Sequence, residues 1–399
     1  MQPATERLHS LDAVRAFALL AGVAFHATAP WIEDGWAVAF EPPSATAAAI
    51  WYFLHMFRMP VFFLIAGYFG RLAAERRGTK GFTKDRAKRI ALPLVVGIPL
   101  IPPLTLVGFA LGSLASGMSV AELTAFARAV TGQAPSATYG PPVLQILGHL
   151  WFLYYLLLFY VAALILRRVC ALDRGGEVLR GIDRILGFFM RTGLVVVAFA
   201  LLVATWYSFV WTEWPEWTGR PAPVSVVPFA PALLGYGFFF VVGWLLHRQN
   251  DLLIQQRTRW VQYLLAGAAL AVLSYLIAGP TPKWSHYLHG WELYLYAVAY
   301  LTASWCLSFA LIGLALRFLS NASPVRRYVA DSSYWLYLMH LAPIALFVAL
   351  MRPLAWHWSV KYSITIAATV TVLLLSYQAF VRYTFIGATL NGRRHQRTV

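Results

Sequence analysis

The chain has 399 residues, of which 60% are hydrophobic and 12% charged, with a mean hydropathy of +0.63 and a net charge of +16. Apolar stretches of about 17–25 residues recur from end to end, which predicts an all-α, polytopic integral membrane protein. Cys170 and Cys306 lack the number and spacing of a disulfide framework or a zinc site, so no metal is expected. Basic residues cluster in short loops between apolar stretches, which indicates membrane topology and argues against nucleic-acid binding.

Apolar runs separated by polar breaks predict about ten transmembrane helices. They lie near residues 11–30, 47–70, 90–111, 143–166, 192–212, 229–247, 260–278, 292–316, 332–351 and 361–381. A cytoplasmic N-terminus puts twenty-five Lys and Arg residues in inside segments and five in outside loops. Because cytoplasmic loops are enriched in basic residues, both termini are expected in the cytoplasm. No internal repeat or long linker is evident, so we expect one membrane domain over residues 1–399.

The first predicted helix carries two ionisable residues, Arg15 and His26, eleven positions apart. At about 100° per residue this spacing is three turns plus about 20°, so both side chains lie on one face about 16 Å apart. An ionisable group in a bilayer costs at least about 2.5–3.5 kcal/mol, which indicates a polar pathway or site along this face. Gly22, one turn before His26, leaves room there for a substrate or a second helix. The segment also fits a signal peptide cleaved after Ala29, although Asp12 is unusual in such a peptide.

Three later helices carry further polar residues inside apolar stretches. His55 and Arg58 are three residues apart in the second predicted helix, so they share a face and are candidate site-lining residues. His149 and Trp151 begin the fourth helix at its outer end, where His149 either orients an acceptor or satisfies a loop carbonyl. Ser333, Tyr337 and His340 follow the i, i+4, i+7 spacing of one helix face, a polar stripe that either joins helices or lines a site.

Five segments in chain order form a specific set of motifs. They are Leu11-Asp12-Ala13-Val14-Arg15 followed by His26, Met59-Pro60-Val61-Phe62-Phe63-Leu64-Ile65-Ala66-Gly67, Arg86-Ala87-Lys88-Arg89 before Leu92-Pro93, His149-Leu150-Trp151-Phe152-Leu153, and Ser333-Tyr334-Trp335-Leu336-Tyr337-Leu338-Met339-His340. Together they resemble the acyltransferase-3 family of integral membrane acyltransferases. The second and fourth segments are most similar to the glucan succinyltransferase branch of that family.

The resemblance implies transfer of an acetyl or succinyl group from cytoplasmic acyl-CoA to a hydroxyl of an extracytoplasmic glycan or other cell-envelope acceptor. It also implies a multi-pass protein of the bacterial cytoplasmic (inner) membrane, with His26 as the catalytic histidine and Arg15 as its companion. No permanently bound cofactor is expected. Many family members carry a C-terminal extracytoplasmic hydrolase-like domain, whereas this chain ends about 18 residues after its last predicted helix. We therefore expect no soluble C-terminal domain, and transfer either by this chain alone or through a separate periplasmic acyl-accepting protein.

The residue pattern is compatible with this chemistry but allows more than one role for several of the residues. Ester formation requires a base for the acceptor hydroxyl, and His26 lies about 22 Å along a core of about 30 Å, near the outer side. Arg15 either meets a phosphate or pantetheine group of the donor or pairs with Asp12. Arg86 and Arg89, in the densest cationic run, either bind the coenzyme A nucleotide or serve topology and contact anionic membrane lipid.

A different class of protein also fits these residues. In a transporter or flippase, Arg15, His26 and Arg58 would line a proton or substrate path without covalent chemistry. Direct transfer and an acyl-histidine intermediate both remain open at this point, and no spacing argument identifies the residue that orients His26.

Overall fold

The computed structural model describes residues 4–32, 41–131, 142–173, 176–210, 217, 219, 222–283, 287–392 and 396. Over these residues the regular structure is helical and no strand occurs, which confirms the all-α prediction. The helices are α1 (Ala4–Ala27), α2 (Ala45–Arg86), α3 (Leu92–Ala115), α4 (Val120–Thr131), α5 (Trp151–Cys170), α6 (Glu177–Thr192), α7 (Val195–Phe209), α8 (Ala230–Leu246), α9 (Asn250–Ala278), α10 (Gly290–Phe318), α11 (Pro324–Met339), α12 (Leu341–Met351), α13 (Trp358–Ser376) and α14 (Phe385–Asn391).

Several of these helices are long and apolar enough to cross a membrane. The described chain has six such stretches, or eight if α6 with α7 and α11 with α12 each count as one bent span. Each of the ten predicted segments overlaps a helix, but 47–70 and 90–111 lie within one helical stretch, Ala45–Ala115. That stretch breaks at Gly78 (φ 65°, ψ 173°), a conformation that only glycine adopts readily. The count of ten and the orientation of the termini therefore stay predictions.

The crossing of α2 and α8 fixes the part of α2 that carries the candidate residues His55 and Arg58. A side chain at Gly67 would overlap the carbonyl oxygen of Phe240, and one at Gly243 would overlap the carbonyl oxygen of Leu64. Small residues let helices approach closely in membrane proteins, where packing replaces the hydrophobic effect between helices. This contact lies about 2.5 turns beyond Arg58 along α2 and so holds Arg58 in register.

Two interruptions of regular helix bring further polar groups beside α1. The backbone between α11 and α12 bends by 68° at His340. Pro343 explains the bend, because it has no N–H and its ring excludes a helical hydrogen bond to the carbonyl of Met339. The second interruption precedes α5, where Gly148 adopts φ 47° in a short 3-10 turn, Gly148–Leu150. Both breaks free backbone carbonyls that regular helix would occupy.

Candidate active site

A cavity of about 510 Å³, here called the histidine cavity, lies where α1, α2, the start of α5 and the α11–α12 bend meet. Its lining includes seven residues singled out from the sequence: His26, His55, Arg58, His149, Trp151, Tyr337 and His340. No Asp or Glu among the described residues lines it. Candidates from four separate segments of the chain therefore face one space.

His26 lies at the C-terminal end of α1 with its imidazole at the cavity wall. Its ring centroid is 4.8 Å from that of Phe25, 5.0 Å from that of His340 and 6.4 Å from that of Trp51. Within the described part of the chain, no hydrogen bond engages either ring nitrogen. An imidazole held by aromatic contacts with unengaged nitrogens is available to exchange a proton with a ligand.

Arg58 is an unpaired cation beside this histidine. Its side chain is only 9% exposed, and its buried Nε has no hydrogen-bond partner among the described residues. The guanidinium lies over the ring of Phe25 at 4.2 Å, a cation–π contact that offsets part of the cost of burial. A Cβ at Gly22 would lie 3.1 Å from Nη1 of Arg58. The room predicted at Gly22 is thus occupied by the Arg58 side chain.

His55 and Trp151 line the histidine cavity and also contact neighbouring helices. The Nδ1 atom of His55 lies 3.3 Å from the hydroxyl of Tyr300 on α10. Trp151 is 6% exposed and packs against Tyr236 of α8, with ring centroids 5.2 Å apart. These two side chains are anchored by neighbouring helices and so give the cavity a fixed shape.

His149 and His340 are placed together by the two helix breaks. The hydroxyl of Tyr337 donates to the carbonyl of His149 at 2.8 Å, and Nδ1 of His340 lies 2.8 Å from the carbonyl oxygen of Tyr337. Because a carbonyl only accepts, Nδ1 of His340 carries the proton, and Nε2 of the neutral ring is an acceptor. The Nε2 atoms of both histidines are buried and without a partner among the described residues, and the rings are 5.3 Å apart. The His340 ring is therefore oriented by the backbone, with its acceptor nitrogen unused.

Arg15 lies away from His26, although the two share a helix. It pairs with Asp12 at 3.2 Å and donates from Nη2 to the carbonyl of Ala330 at 3.3 Å. It is absent from the lining of the histidine cavity and instead lines two other cavities toward the start of α1. The predicted pairing with Asp12 is present, and Arg15 can still meet a ligand in these cavities.

Arg86 and Arg89 lie at the junction of α2 and α3, where a π-helical turn, Ala87–Ala91, joins the two helices. Arg86 pairs with Asp85 at 3.0 Å, and Arg89 donates from Nε to the carbonyl of Leu390 at 3.2 Å. Both arginines and Arg15 line a cavity of about 170 Å³, here called the middle cavity. Three of the predicted cationic residues thus converge on one narrow space.

A third cavity, here called the basic cavity, has a volume of about 410 Å³. It shares Arg15, Arg89, Ala330 and Asn391 with the middle cavity. The middle cavity in turn shares four lining residues with the histidine cavity: Leu19, Phe62, Phe152 and Tyr337. The three cavities therefore form a row from the start of α1 to its end.

The basic cavity contains cations that sequence reasoning assigned only to topology. They are Arg326 and Arg327, which line it together with Arg15 and Arg89. Arg326 is held in place because Nη1 and Nη2 donate to the carbonyls of Leu319 and Asn321, each at 2.7 Å. The sequence signal for this cavity was a pair of arginines in the first turn of α11, three and four residues after the cap residue Ser323.

The described residues do not form a metal-binding site. Across the described residues, no group of three or more His, Cys, Asp or Glu side chains is arranged to hold a metal ion. The histidine cavity instead presents one cation and several imidazoles to a ligand. Such a site can bind an anionic or polarised oxygen and accept a proton.

Comparison with known proteins finds one matching family model and several similar curated proteins. A family model described as "Acyltransferase domain" (Acyl_transf_3) matches residues 8–378. The chain is 32% identical over 148 residues to "Glucans biosynthesis protein C" of Escherichia coli strain SMS-3-5 / SECEC, and equally to those of E. coli O1:K1 / APEC and O157:H7 strain EC4115 / EHEC. The matched stretch is 37% of this chain and spans about a third, 36%, of the length of these relatives. No solved structure matches the chain.

Proposed function

This chain belongs to the acyltransferase-3 family and is a multi-pass membrane acyltransferase of groups other than amino-acyl groups, and we propose its acyl donor, its acceptor and its orientation in the membrane. It moves an acetyl or succinyl group from cytoplasmic acyl-CoA to a hydroxyl of an extracytoplasmic glycan or other cell-envelope acceptor. It does so as a single membrane domain in the bacterial cytoplasmic membrane, with ten spans and both termini in the cytoplasm. The excess of basic residues in the proposed inside loops supports this orientation.

The row of three cavities is the proposed path of the donor. Coenzyme A combines several phosphate charges with a long, thin pantetheine arm that ends in the thioester. The basic cavity suits the phosphates, because its four arginines outnumber the two carboxylates that also line it, Asp12 and Asp331, and Arg327 has no partner among the described residues. The middle cavity suits the pantetheine arm, and the thioester then enters the histidine cavity beside Tyr337.

His26 is the proposed general base. The acceptor hydroxyl gives its proton to an imidazole nitrogen of His26 while its oxygen attacks the thioester carbonyl. The tetrahedral intermediate collapses as the carbon–sulfur bond breaks, and the coenzyme A thiolate takes up the proton from His26. This cycle needs a neutral imidazole with an open nitrogen, which fits the absence of hydrogen bonds to the His26 ring within the described residues.

Arg58 is the proposed stabiliser of developing negative charge. Its guanidinium lies on the same cavity wall as His26, and no carboxylate among the described residues lines that cavity. A fixed donor in a site of low dielectric constant is effective for an oxyanion, because it needs no reorganisation during the reaction. The same cation would also attract the free carboxylate of a succinyl group.

His340 and His149 are the proposed partners of the acceptor. The unused Nε2 atom of His340 accepts a hydrogen bond from a substrate hydroxyl and so directs that oxygen toward the thioester. Trp151 and His55 shape the wall against which the acceptor lies. Together with His26 of α1, residues from four helical segments thus act on one acceptor group.

The observation that carries this proposal is His26 with unengaged nitrogens in the cavity that Arg58 also faces. The test uses purified protein in vesicles, with radiolabelled acetyl-CoA and succinyl-CoA and a cell-envelope glycan fraction. We expect label on the glycan with wild type and none with His26→Ala. Equal labelling by both proteins would overturn the role of His26, and no label from either donor with wild type would overturn the choice of donor.

A transporter or flippase, the alternative from the sequence, would also use a row of cavities. Family membership as an acyltransferase weighs against it. The vesicle assay separates the two, because a transporter would move a molecule without forming or breaking a covalent bond.

A further inference from the structure

Helix α6 has the features of a helix that lies in the membrane interface. It turns 107° from the apolar helix α7, so the two cannot both follow the membrane normal. Leu186 and Met190 are buried against the protein, whereas Val178 and Ile185 are 53% and 62% exposed on the apolar side. Its basic residues are Arg180, Arg184 and Arg191. A helix with one apolar face and one cationic face settles between the headgroups and the acyl chains of a bilayer.

An apolar cleft of about 250 Å³ lies between α5, α6 and α8. Its walls include Ala163 and Leu166 of α5, Ile182 of α6, and Phe240 and Leu245 of α8. Arg71, Arg167 and Cys170 also line this cleft. It shares no lining residue with the histidine, middle or basic cavities. The cleft is thus a separate site with an apolar body and a cationic margin.

Four carboxylates of α2, α6 and α9 are already paired with basic residues. Glu75 accepts from Nε of Arg71 at 2.7 Å, and Asp183 accepts from Nη2 of Arg248 at 2.6 Å. The side chains of Asp251 and Glu177 pair with basic residues of α6. In the described part of the chain, Arg167 has no hydrogen-bond or ion-pair partner, and it repels Arg71. Glu75 therefore serves Arg71, whereas Arg167 at the same margin lacks an anionic partner among the described residues.

We propose that this cleft binds an anionic glycerophospholipid. The phosphate lies between Arg71 and Arg167, and one acyl chain lies along Phe240 and Leu166 between α5 and α8. The phosphate supplies the missing negative charge, while the chain fills apolar space that no side chain of the described residues occupies. A free phosphate ion would use only the margin, and a zwitterionic lipid would bring a second cation to it.

Cys170 makes this site measurable without adding a probe residue. It lines the cleft and is partly exposed, whereas Cys306 is 2% exposed, so a maleimide reagent labels Cys170. The full-length protein in detergent is labelled with added dioleoyl phosphatidylglycerol, dioleoyl phosphatidylcholine or inorganic phosphate. Phosphatidylglycerol at tenfold its Kd should slow labelling about tenfold, because only the unoccupied fraction reacts. The other two additions should leave the rate within twofold.

Two variants test the charge at the margin. Arg167→Gln should abolish protection by phosphatidylglycerol, whereas Arg168→Gln, which removes the same charge one residue away from the lining, should retain it. Ala162→Leu fills the cleft and should remove the phosphatidylglycerol adduct in native mass spectrometry, which covers the case in which Arg167→Gln does not fold. Equal protection by phosphatidylcholine, protection by phosphate alone, or equal losses in Arg167→Gln and Arg168→Gln would each overturn the proposal.

Discussion

Replacing Arg58 with Met should change stability and activity in opposite directions. The ionisable side chain is 9% exposed, and no carboxylate of the described residues lines its cavity. Insertion of such a charge costs at least about 2.5–3.5 kcal/mol, of which the cation–π contact with Phe25 returns about 0.5–2 kcal/mol. Met has a similar length without the charge, so the variant should gain about 1–2 kcal/mol of stability.

Activity of the same variant should fall by about 10²–10³-fold, the usual effect of removing one oxyanion donor. Thermal unfolding in detergent measures the stability change, and initial rates of acyl transfer measure the activity change. Arg317→Met is the matched control, because Arg317 is exposed at the end of α10 and both of its values should stay near wild type. An Arg58→Met protein that is less stable than wild type yet retains half its activity would refute this reasoning.

The remaining predictions concern the acceptor, the donor and the fold. His340→Asn should keep a donor to the carbonyl of Tyr337 but lose the Nε2 acceptor, lowering kcat about tenfold, while His340→Gln restores an acceptor and part of the rate. In steady-state kinetics, Arg327→Gln should raise KM for acyl-CoA several-fold with little change in kcat, because the phosphates bind equally in ground and transition states. Gly243→Leu should prevent folding, seen as loss of a monodisperse peak in gel filtration, because its side chain overlaps the carbonyl of Leu64.

Seven of the candidate residues from the sequence line one cavity, but the sequence did not predict how they are arranged there. Polar residues inside apolar stretches, such as Arg58 and His340, are costly enough to identify a site without knowledge of the fold. The helical spacing of Arg15 and His26 placed both on one face of α1, yet only His26 lines the histidine cavity. Helical spacing gives the direction of a side chain but does not reveal which neighbouring helix closes the space in front of it.

Two other features depended on tertiary contacts. Lys361, one of the five basic residues counted in outside loops, is 3% exposed and pairs with Glu41 at 2.7 Å. Arg327 was counted as a topology charge because basic residues at helix ends usually have that role, and its cavity forms only when α1, α11 and α14 come together. Four tryptophans near the outer ends of predicted helices, Trp36, Trp211, Trp214 and Trp284, lie outside the described residues.

The most direct test of the account is a structure of the wild-type protein with a non-reactive thioether analogue of acyl-CoA. We expect the nucleotide phosphates at Arg89 and Arg327 in the basic cavity, the pantetheine arm in the middle cavity, and the acyl carbon beside His26 and Arg58. A nucleotide bound elsewhere, or an acyl group that ends outside the histidine cavity, would contradict the proposed path and the roles assigned to these residues.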